Sequence, residues 1–169
     1  MKKIKIALLG CGTVGGATYK ILQMNAEQIA QKTGVILEIS KILVRDKERP
    51  YAVPESLLTT NYQEILDTRD IEIVVECLGG IEPASSFMLQ ALKAGKHVVT
   101  ANKAAVAANY ETLVSTSAQY HVMLRFEASV AGGIPVLDAL QAPLNSNDIE
   151  EVSGIVNGTT NYILTQMIE

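Results

Sequence analysis

The sequence is poor in residues on which several classes of protein depend. It has no tryptophan, and its two cysteines, Cys11 and Cys77, form neither a CxxC pair nor a disulfide framework. The net charge of −4 and the absence of a long basic cluster argue against a nucleic-acid partner. The apolar run after Lys2 and Lys3 is too short for a signal peptide core, and no membrane-length run follows. We therefore expect a soluble, cytoplasmic protein that binds neither nucleic acid nor membrane.

Length and composition allow a substantial core. A chain of 169 residues, of which 48% are hydrophobic, suffices for one domain, or for one domain and part of another. A change of composition after Glu127 favours the second arrangement. We expect a first domain over residues 1–127 and the beginning of a second over residues 128–169.

The segment Lys2–Gly16 organises the rest of the chain. An alternating apolar strand leads into Gly-Cys-Gly-Thr-Val-Gly, and a helical pattern follows directly. In such a unit the first glycine permits the turn, the second lets backbone approach a pyrophosphate, and the third lets the helix pack closely. The free amides of the first helical turn then face the phosphates. The turn therefore predicts a dinucleotide site formed by Gly10, Gly12, Thr13, Val14 and Gly15.

Apolar strands and helical patterns alternate after this turn. Such alternation is typical of an α/β fold with a Rossmann-like, doubly wound parallel sheet. The further predicted strands are Val35–Val44, Ile71–Val75, His97–Ala101 and Val122–Glu127. The predicted helices are Thr13–Lys32, Tyr62–Asp67, one between Pro83 and Gly95, and Glu111–Tyr120.

The end of the second predicted strand bears on the choice of nicotinamide cofactor. A carboxylate there holds the ribose hydroxyls of NAD, whereas an arginine accommodates the 2′-phosphate of NADP. Arg45 and Asp46 are adjacent, so the signal is divided. We favour NADP through Arg45, assisted by Lys47, and expect NAD to be tolerated; the alternative is a solvated charged loop.

Two further strand ends carry candidate site residues. Gly79 and Gly80 follow the strand that begins at Ile71, and glycines in this position indicate close approach by the cofactor. Asn102 and Lys103 follow the next strand. Ligands bind at the carboxyl ends of strands in such sheets, although a lone lysine is more often a surface charge.

The sequence after Glu127 changes to Ala-Ser-Val-Ala-Gly-Gly-Ile-Pro-Val. The predicted elements here are a helix over Pro135–Gln141, a loop with Pro143 and Asn145, a strand near Ile149–Val156, and an amphipathic helix opened by Asn157-Gly158-Thr159-Thr160. That last helix reaches Glu169 without a cap. We expect the first piece of a truncated α+β domain.

Four stretches together resemble homoserine dehydrogenase. They are Gly-Cys-Gly-Thr-Val-Gly at 10–15, Val-Thr-Ala-Asn-Lys at 99–103, Phe-Glu-Ala-Ser-Val-Ala-Gly-Gly-Ile-Pro at 126–135 and Ile-Val-Asn-Gly-Thr-Thr-Asn-Tyr-Ile-Leu at 155–164. The first is shared by many families, whereas the other three are specific in this order and spacing. The resemblance spans the chain but only the amino-terminal part of the family's length, and the start at Met1 resembles the monofunctional form rather than the aspartokinase fusion.

The resemblance implies NAD(P)H-dependent reduction of L-aspartate 4-semialdehyde to L-homoserine, on the route to threonine, methionine and isoleucine. Hydride attack on the aldehyde creates an alkoxide, which needs positive charge or a proton donor nearby. Lys103 matches the lysine of the family's Thr-Ala-Asn-Lys motif and would be catalytic. The resemblance also assigns Thr100, Lys103 and Gly158 to the cofactor and Thr159 to the substrate.

A structural monovalent cation, sodium or potassium, is also implied by the resemblance. Its ligands would be the Glu127 carboxylate and the backbone carbonyls of Val130, Gly132 and Ile134. Oxygen donors suit a hard ion, and glycines let carbonyls converge. The ion would fix the junction between the domains.

The family's remaining catalytic residues, an acidic pair and a second lysine, would lie beyond residue 169. We therefore expect the 169-residue chain to bind dinucleotide weakly and to turn over little substrate. The family dimerises through its second domain, so the resemblance implies a homodimer for the full-length protein.

Two alternatives share the first domain. Another semialdehyde or dihydrodipicolinate-type reductase would need a nucleophilic cysteine or a histidine-rich site, but Cys11 and Cys77 look structural, and His97 and His121 have no neighbouring base. A non-catalytic dinucleotide-binding module would bind cofactor without dependence on Lys103.

Overall fold

The computed structural model describes residues 1–155 and 157–168. The chain divides into two compact units, Met1–Phe126 and Glu127–Glu169. None of the helices in these described ranges is both long and apolar enough to span a bilayer.

Parallel strands form a single sheet in the first unit. They are β1 (Lys2–Leu9), β2 (Val35–Leu43), β3 (Leu58–Thr59), β4 (Ile71–Glu76), β5 (His97–Thr100) and β6 (Leu124–Arg125). Their order is β3-β2-β1-β4-β5-β6, and every neighbouring pair is parallel. This is the strand order of doubly wound dinucleotide-binding sheets, in which the winding reverses beside β1. The predicted Rossmann-like class is confirmed.

Helices cover both faces of this sheet. They are α1 (Thr13–Met24), α2 (Ala26–Thr33), α3 (Tyr62–Asp67), α4 (Ala84–Lys93) and α5 (Lys103–Gln119). Residues of α1 pack against one face with Ile6 and Leu8, whereas residues of α3, α4 and α5 pack against the other with Ala7 and Leu9. Because successive side chains of a strand point to opposite faces, all four of these β1 residues are buried.

The predicted first helix is two helices. α1 ends at Met24 and α2 begins at Ala26, with Asn25 between them at φ −108° and ψ 15°. The Asn25 side chain donates to the carbonyl oxygen of Ile21 at 3.1 Å. Asparagine competes for backbone hydrogen bonds in this way, which ends α1 earlier than the apolar spacing predicts.

The predicted helix Glu111–Tyr120 is the second half of a longer one. α5 begins at Lys103, and its backbone leaves helical geometry only at Asn109, with φ −132° and ψ 22°. The Asn109 amide donates to the hydroxyl of Ser85 in α4 at 2.9 Å. Lys103 is therefore the first residue of a helix, and it lies three residues after the end of β5.

Two strands differ from prediction. β3 was missed, because its two residues are too short to show a period. β6 is confined to Leu124–Arg125, shorter than the predicted Val122–Glu127.

The second unit contains a 3-10 helix at Glu127–Ser129, α6 (Val136–Leu144) and α7 (Gly158–Ile168). α6 continues past the predicted end at Gln141 and includes Pro143, which has no N–H to donate within the helix. Residues 149–155 form no strand, contrary to the prediction for Ile149–Val156, and Val156 itself lies outside the described residues. The described residues of the second unit form no strand with which residues 149–155 could pair.

Candidate functional site

The turn between β1 and α1 requires glycine at two positions. Gly10 has φ +99°, and a Cβ atom built on it would lie 2.9 Å from the carbonyl oxygen of Cys77. A Cβ on Gly15 would lie 2.1 Å from the carbonyl oxygen of Gly10, so α1 approaches the turn this closely only without a side chain. A Cβ on Gly12 would meet nothing within 4 Å. The backbone is therefore tight at Gly10 and Gly15 and open at Gly12, which fits a bound pyrophosphate.

The first turn of α1 presents backbone N–H groups beside this opening. Gly12 provides no side-chain cap, and the first turn contains no acidic residue. The first N–H groups of a helix, here including those of Thr13 and Val14, lack partners within the helix and carry partial positive charge. This arrangement can bind an anion.

Three strand ends meet at one edge of the sheet because all strands are parallel. β1 leads into the glycine turn, β4 into Gly79 and Gly80, and β5 into Lys103. Gly79 and Gly80 have φ +77° and +73°, and a Cβ on Gly79 would meet nothing within 4 Å. The glycine turn, the Gly79–Gly80 loop and Lys103 thus share the carboxyl edge, although α1 and α5 pack against opposite faces.

Thr100, the last residue of β5, is buried. It has no exposed surface, and its hydroxyl donates to Oε2 of Glu76 at 2.5 Å. Its side chain is thus committed to Glu76. The predicted contact between Thr100 and the cofactor stays a prediction, and the observed role of Thr100 is to support its neighbours.

Lys103 is exposed and begins α5. Within the described part of the chain its ammonium group forms no hydrogen bond or ion pair. A cation at the N-terminus of a helix is opposed by the helix dipole. The helix gains nothing from Lys103, which leaves the ammonium group available to a ligand at the carboxyl edge.

In the loop after β2, Asp46 forms hydrogen bonds within the loop, whereas Arg45 forms none with the described residues. Oδ1 of Asp46 accepts the N–H of Glu48 at 2.9 Å, and the Asp46 carbonyl accepts the Tyr51 hydroxyl at 3.0 Å. Arg45 is exposed and pairs with no described residue. Asp46 therefore stabilises the turn, whereas the Arg45 guanidinium is available to a ligand.

Neither cysteine is a suitable nucleophile. Burial raises the pKa of the Cys11 thiol, and burial followed by the nearby charge of Glu76 raises the pKa of Cys77 to about 11. A nucleophilic cysteine requires a lowered pKa. His97 Nδ1 accepts the Met123 N–H at 3.0 Å near the amino end of β5, away from the carboxyl edge.

Thiol labelling tests this conclusion. At a pKa of about 11, roughly one Cys77 thiol in a thousand is ionised at pH 8, against about one in ten at the ordinary value of 9.0. Iodoacetamide should therefore alkylate Cys77 about 100-fold more slowly in the folded chain than in urea. Mass spectrometry of a labelling time course measures both rates; equal rates would restore the cysteine-dependent alternative.

Glu127 begins a 3-10 helix instead of ending a strand as predicted. Its Oε1 and Oε2 accept the N–H groups of Leu137 and Asp138, each at 3.0 Å. The carboxylate therefore caps the first turn of α6.

The other three predicted cation ligands lie in the turns between Glu127 and α6. Ala131 and Gly132 have φ +54° and +63°, and the Ile134 carbonyl accepts the Val136 N–H at 2.9 Å. No described residue donates a hydrogen bond to the carbonyl of Val130 or Gly132. Carboxylate and carbonyl oxygens are the donors that a hard cation prefers, and the predicted cation site stays a prediction.

Gly158 and Thr159 open α7 in the second unit. Asn157 Oδ1 accepts the N–H of Thr160 at 2.7 Å, so this segment caps the helix. Both residues are exposed, and their predicted contacts with nicotinamide and substrate stay predictions.

Sequence reasoning missed Glu76 and the role of Asn102. Glu76 is fully buried at the end of an apolar strand, and Asn102 caps α5 by accepting the N–H of Ala105 at 3.1 Å. A charged residue closing an apolar run is the signal that could have identified Glu76. An asparagine before a helix would have identified Asn102, had the helix been predicted to begin there.

The sheet order and the glycine turn define a dinucleotide-binding domain of the Rossmann type. The sequence model described as homoserine dehydrogenase, NAD binding domain, matches residues 10–127, and the one described as homoserine dehydrogenase matches residues 135–169. The chain belongs to the homoserine dehydrogenase family.

Individual relatives agree with this assignment. The homoserine dehydrogenase of Bacillus subtilis (strain 168) is 42% identical over 171 residues, which cover 100% of this chain and 40% of that relative. A crystal structure of a homoserine dehydrogenase from Thiobacillus denitrificans matches with a TM-score of 0.89 and 45% identity, covering 99% of this chain and 39% of the other. A hyperthermophilic archaeal homoserine dehydrogenase in complex with NADPH matches with a TM-score of 0.78 and 26% identity, and the match covers 98% of this chain and 56% of the other. The chain thus spans about 40% of the length of the curated relatives it matches.

Proposed function

We propose that this chain forms the nucleotide-binding part of an enzyme that reduces L-aspartate 4-semialdehyde to L-homoserine with NAD(P)H. The observation that carries the proposal is the common carboxyl edge, where the open glycine turn and the unpaired Lys103 occur together in a member of this family. The reaction takes one hydride and one proton into the aldehyde and leaves an alcohol and NAD(P)⁺. An assay of the full-length protein with homoserine and NAD(P)⁺, followed by absorbance of the reduced cofactor, tests the proposal, and no turnover would contradict it.

The glycine turn would hold the dinucleotide. Gly12 would admit the pyrophosphate, the N–H groups of Thr13, Val14 and Gly15 would donate to it, and Gly79 with Gly80 would border it. The bound reduced nicotinamide supplies the hydride. The Lys103 ammonium group would stabilise negative charge on the aldehyde oxygen and relay a proton to it.

The second unit would contribute the remaining assigned residues. Gly158 would lie near the nicotinamide and Thr159 near the substrate. Sodium or potassium would be held by the Glu127 carboxylate and the carbonyls of Val130, Gly132 and Ile134. Its role would be structural, to hold the turns that lead into α6.

The family resemblance also supports proposals for the activity of the 169-residue chain, the oligomeric state and the cellular location. The 169-residue chain alone would bind dinucleotide and turn over little substrate, because it covers only about 40% of its relatives' length. The full-length protein would be a homodimer, as the resemblance to the family implies. We place the enzyme in the cytoplasm. Sedimentation of the full-length protein measures its oligomeric state. Measurable homoserine oxidation by the 169-residue chain would contradict the expectation that this chain turns over little substrate.

Arg45→Ala tests the preference for NADP. The exposed guanidinium would pair with the 2′-phosphate, so its loss should weaken NADPH binding by roughly 10-fold and leave NADH binding unchanged. Fluorescence titration of the 169-residue chain with each cofactor measures this. Asp46→Asn, which keeps the turn's acceptor oxygen, is the matched control; equal NADPH and NADH affinities unaffected by Arg45→Ala would refute the preference.

A further inference from the structure

Glu76, the last residue of β4, places a carboxylate inside the protein. It is fully buried, and no cation among the described residues pairs with it. It accepts three hydrogen bonds, from the Leu78 N–H at 2.7 Å, the Thr100 hydroxyl at 2.5 Å and the Asn102 amide at 3.4 Å. Burial of a carboxylate is costly even when it is hydrogen-bonded, and an apolar side chain would serve the sheet better. The geometry around Glu76 must therefore serve something other than the sheet core.

Asn102 connects this carboxylate to two loops and a helix. Its Nδ2 donates to the Gly80 carbonyl at 2.6 Å as well as to Glu76, and its Oδ1 caps α5. Its backbone N–H donates to Oγ1 of Thr100 at 3.0 Å. The Thr100 hydroxyl donates its hydrogen bond to Glu76, so the lone pairs of the same oxygen can accept the Asn102 N–H. Asn102 is thus held on three sides, and Lys103 follows it directly.

We propose that Glu76 is a positioning residue that acts through Thr100 and Asn102 to fix Lys103 relative to the Gly79–Gly80 loop. A carboxylate suits this role because it only accepts hydrogen bonds, so it can draw donors from the loops after β4 and β5 to one point. The inference rests on the proposed function, because it assigns Glu76 to the placement of a lysine that acts on the substrate. Glu76 itself touches neither substrate nor cofactor.

Asn102→Ser separates the two roles of Asn102. Serine caps helices as well as asparagine does but is too short to reach Gly80 and Glu76. In the full-length enzyme we expect kcat to fall on the order of 10- to 100-fold, with KM for NADPH nearly unchanged. Wild-type kcat in Asn102→Ser would overturn the proposal.

A second pair of variants tests Thr100. Thr100→Val removes the hydroxyl at nearly constant volume and should lower kcat similarly, whereas Thr100→Ser retains the hydroxyl and should restore it. Thermal unfolding of each variant is measured alongside. If Thr100→Val proves too unstable to assay, Thr100→Ser and Asn102→Ser still decide the matter, since the first should be active and the second impaired.

Asn61→Ser is the matched control. Asn61 caps α3 by accepting the Gln63 N–H at 3.0 Å, so the chemical change is the same at a different helix. We expect wild-type kcat. A loss equal to that of Asn102→Ser would assign the effect to asparagine capping in general and overturn the proposal.

A double-mutant cycle with Lys103→Ala identifies the target of the network. If Asn102 acts through Lys103, then Asn102→Ser should cause no further loss of kcat in the Lys103→Ala background. Additive losses would show that Asn102 acts independently of Lys103 and would overturn the proposal. Full activity of Lys103→Ala would overturn this inference, whereas absence of turnover in the wild-type full-length protein would overturn the proposed function, so the two failures are distinguishable.

Discussion

Gly15→Ala should destabilise the first unit and abolish dinucleotide binding. The new Cβ would lie 2.1 Å from the Gly10 carbonyl oxygen, a backbone atom that cannot rotate away, so α1 must move off the turn. Overpacking of this kind costs about 1–3 kcal/mol, and the displaced helix would no longer aim its amides at the phosphates. Urea unfolding and NADPH titration of the 169-residue chain measure the two losses.

Two neighbouring glycines provide the controls. Gly12→Ala places its Cβ in open space, so stability should change little while NADPH affinity falls, because the methyl group occupies the approach of the pyrophosphate. Gly16→Ala also meets nothing within 4 Å and should stabilise α1 by about 0.5–1 kcal/mol without loss of affinity. Wild-type stability of Gly15→Ala, or unchanged affinity of Gly12→Ala, would contradict the geometry of the turn.

Local patterns account for what could be predicted from the sequence. The apolar alternation of β1 and the three glycines after it are set by neighbours within about one helical turn, as are the bounds of α3 between Asn61 and Thr68. The parallel order then followed from the alternation of strands and helices, because crossovers of one hand leave few topologies.

Elements without a local period were the ones missed. The first half of α5 reads Lys-Ala-Ala-Val-Ala-Ala, which has no polar face to contrast with an apolar one, so only the part after Asn109 showed helical spacing. β3 is two residues long and is recognisable only by its register with β2.

The network around Glu76 could not be predicted because its partners are distant in sequence. Thr100 and Asn102 lie 24 and 26 positions away, and they approach Glu76 only when β4 and β5 pair with Glu76 opposite Thr100. The sequence shows a glutamate at the end of an apolar run. The sheet register determines that its carboxylate meets a hydroxyl and an amide, and thereby why a charge is tolerated there.

Lys103→Ala in the full-length enzyme should reduce kcat by about 100-fold or more while NADPH affinity stays nearly unchanged. The ammonium group is the only cation that β5 and the start of α5 bring to the carboxyl edge in the described residues, and the developing alkoxide needs such a group. The same change should slightly stabilise the 169-residue chain, because a cation opposes the dipole at the N-terminus of α5. A residue that lowers stability where it stands and is needed for turnover is the pattern expected of a functional side chain.

Lys32→Ala is the control that separates charge loss from function. Lys32 lies in the last turn of α2, where the dipole favours a cation, so its removal should slightly lower stability and leave kcat unchanged. Activity assays and thermal unfolding of both variants measure the change in kcat and the change in stability for each. If Lys103→Ala retains wild-type turnover, Lys103 has no part in the chemistry, and another group must stabilise the developing alkoxide.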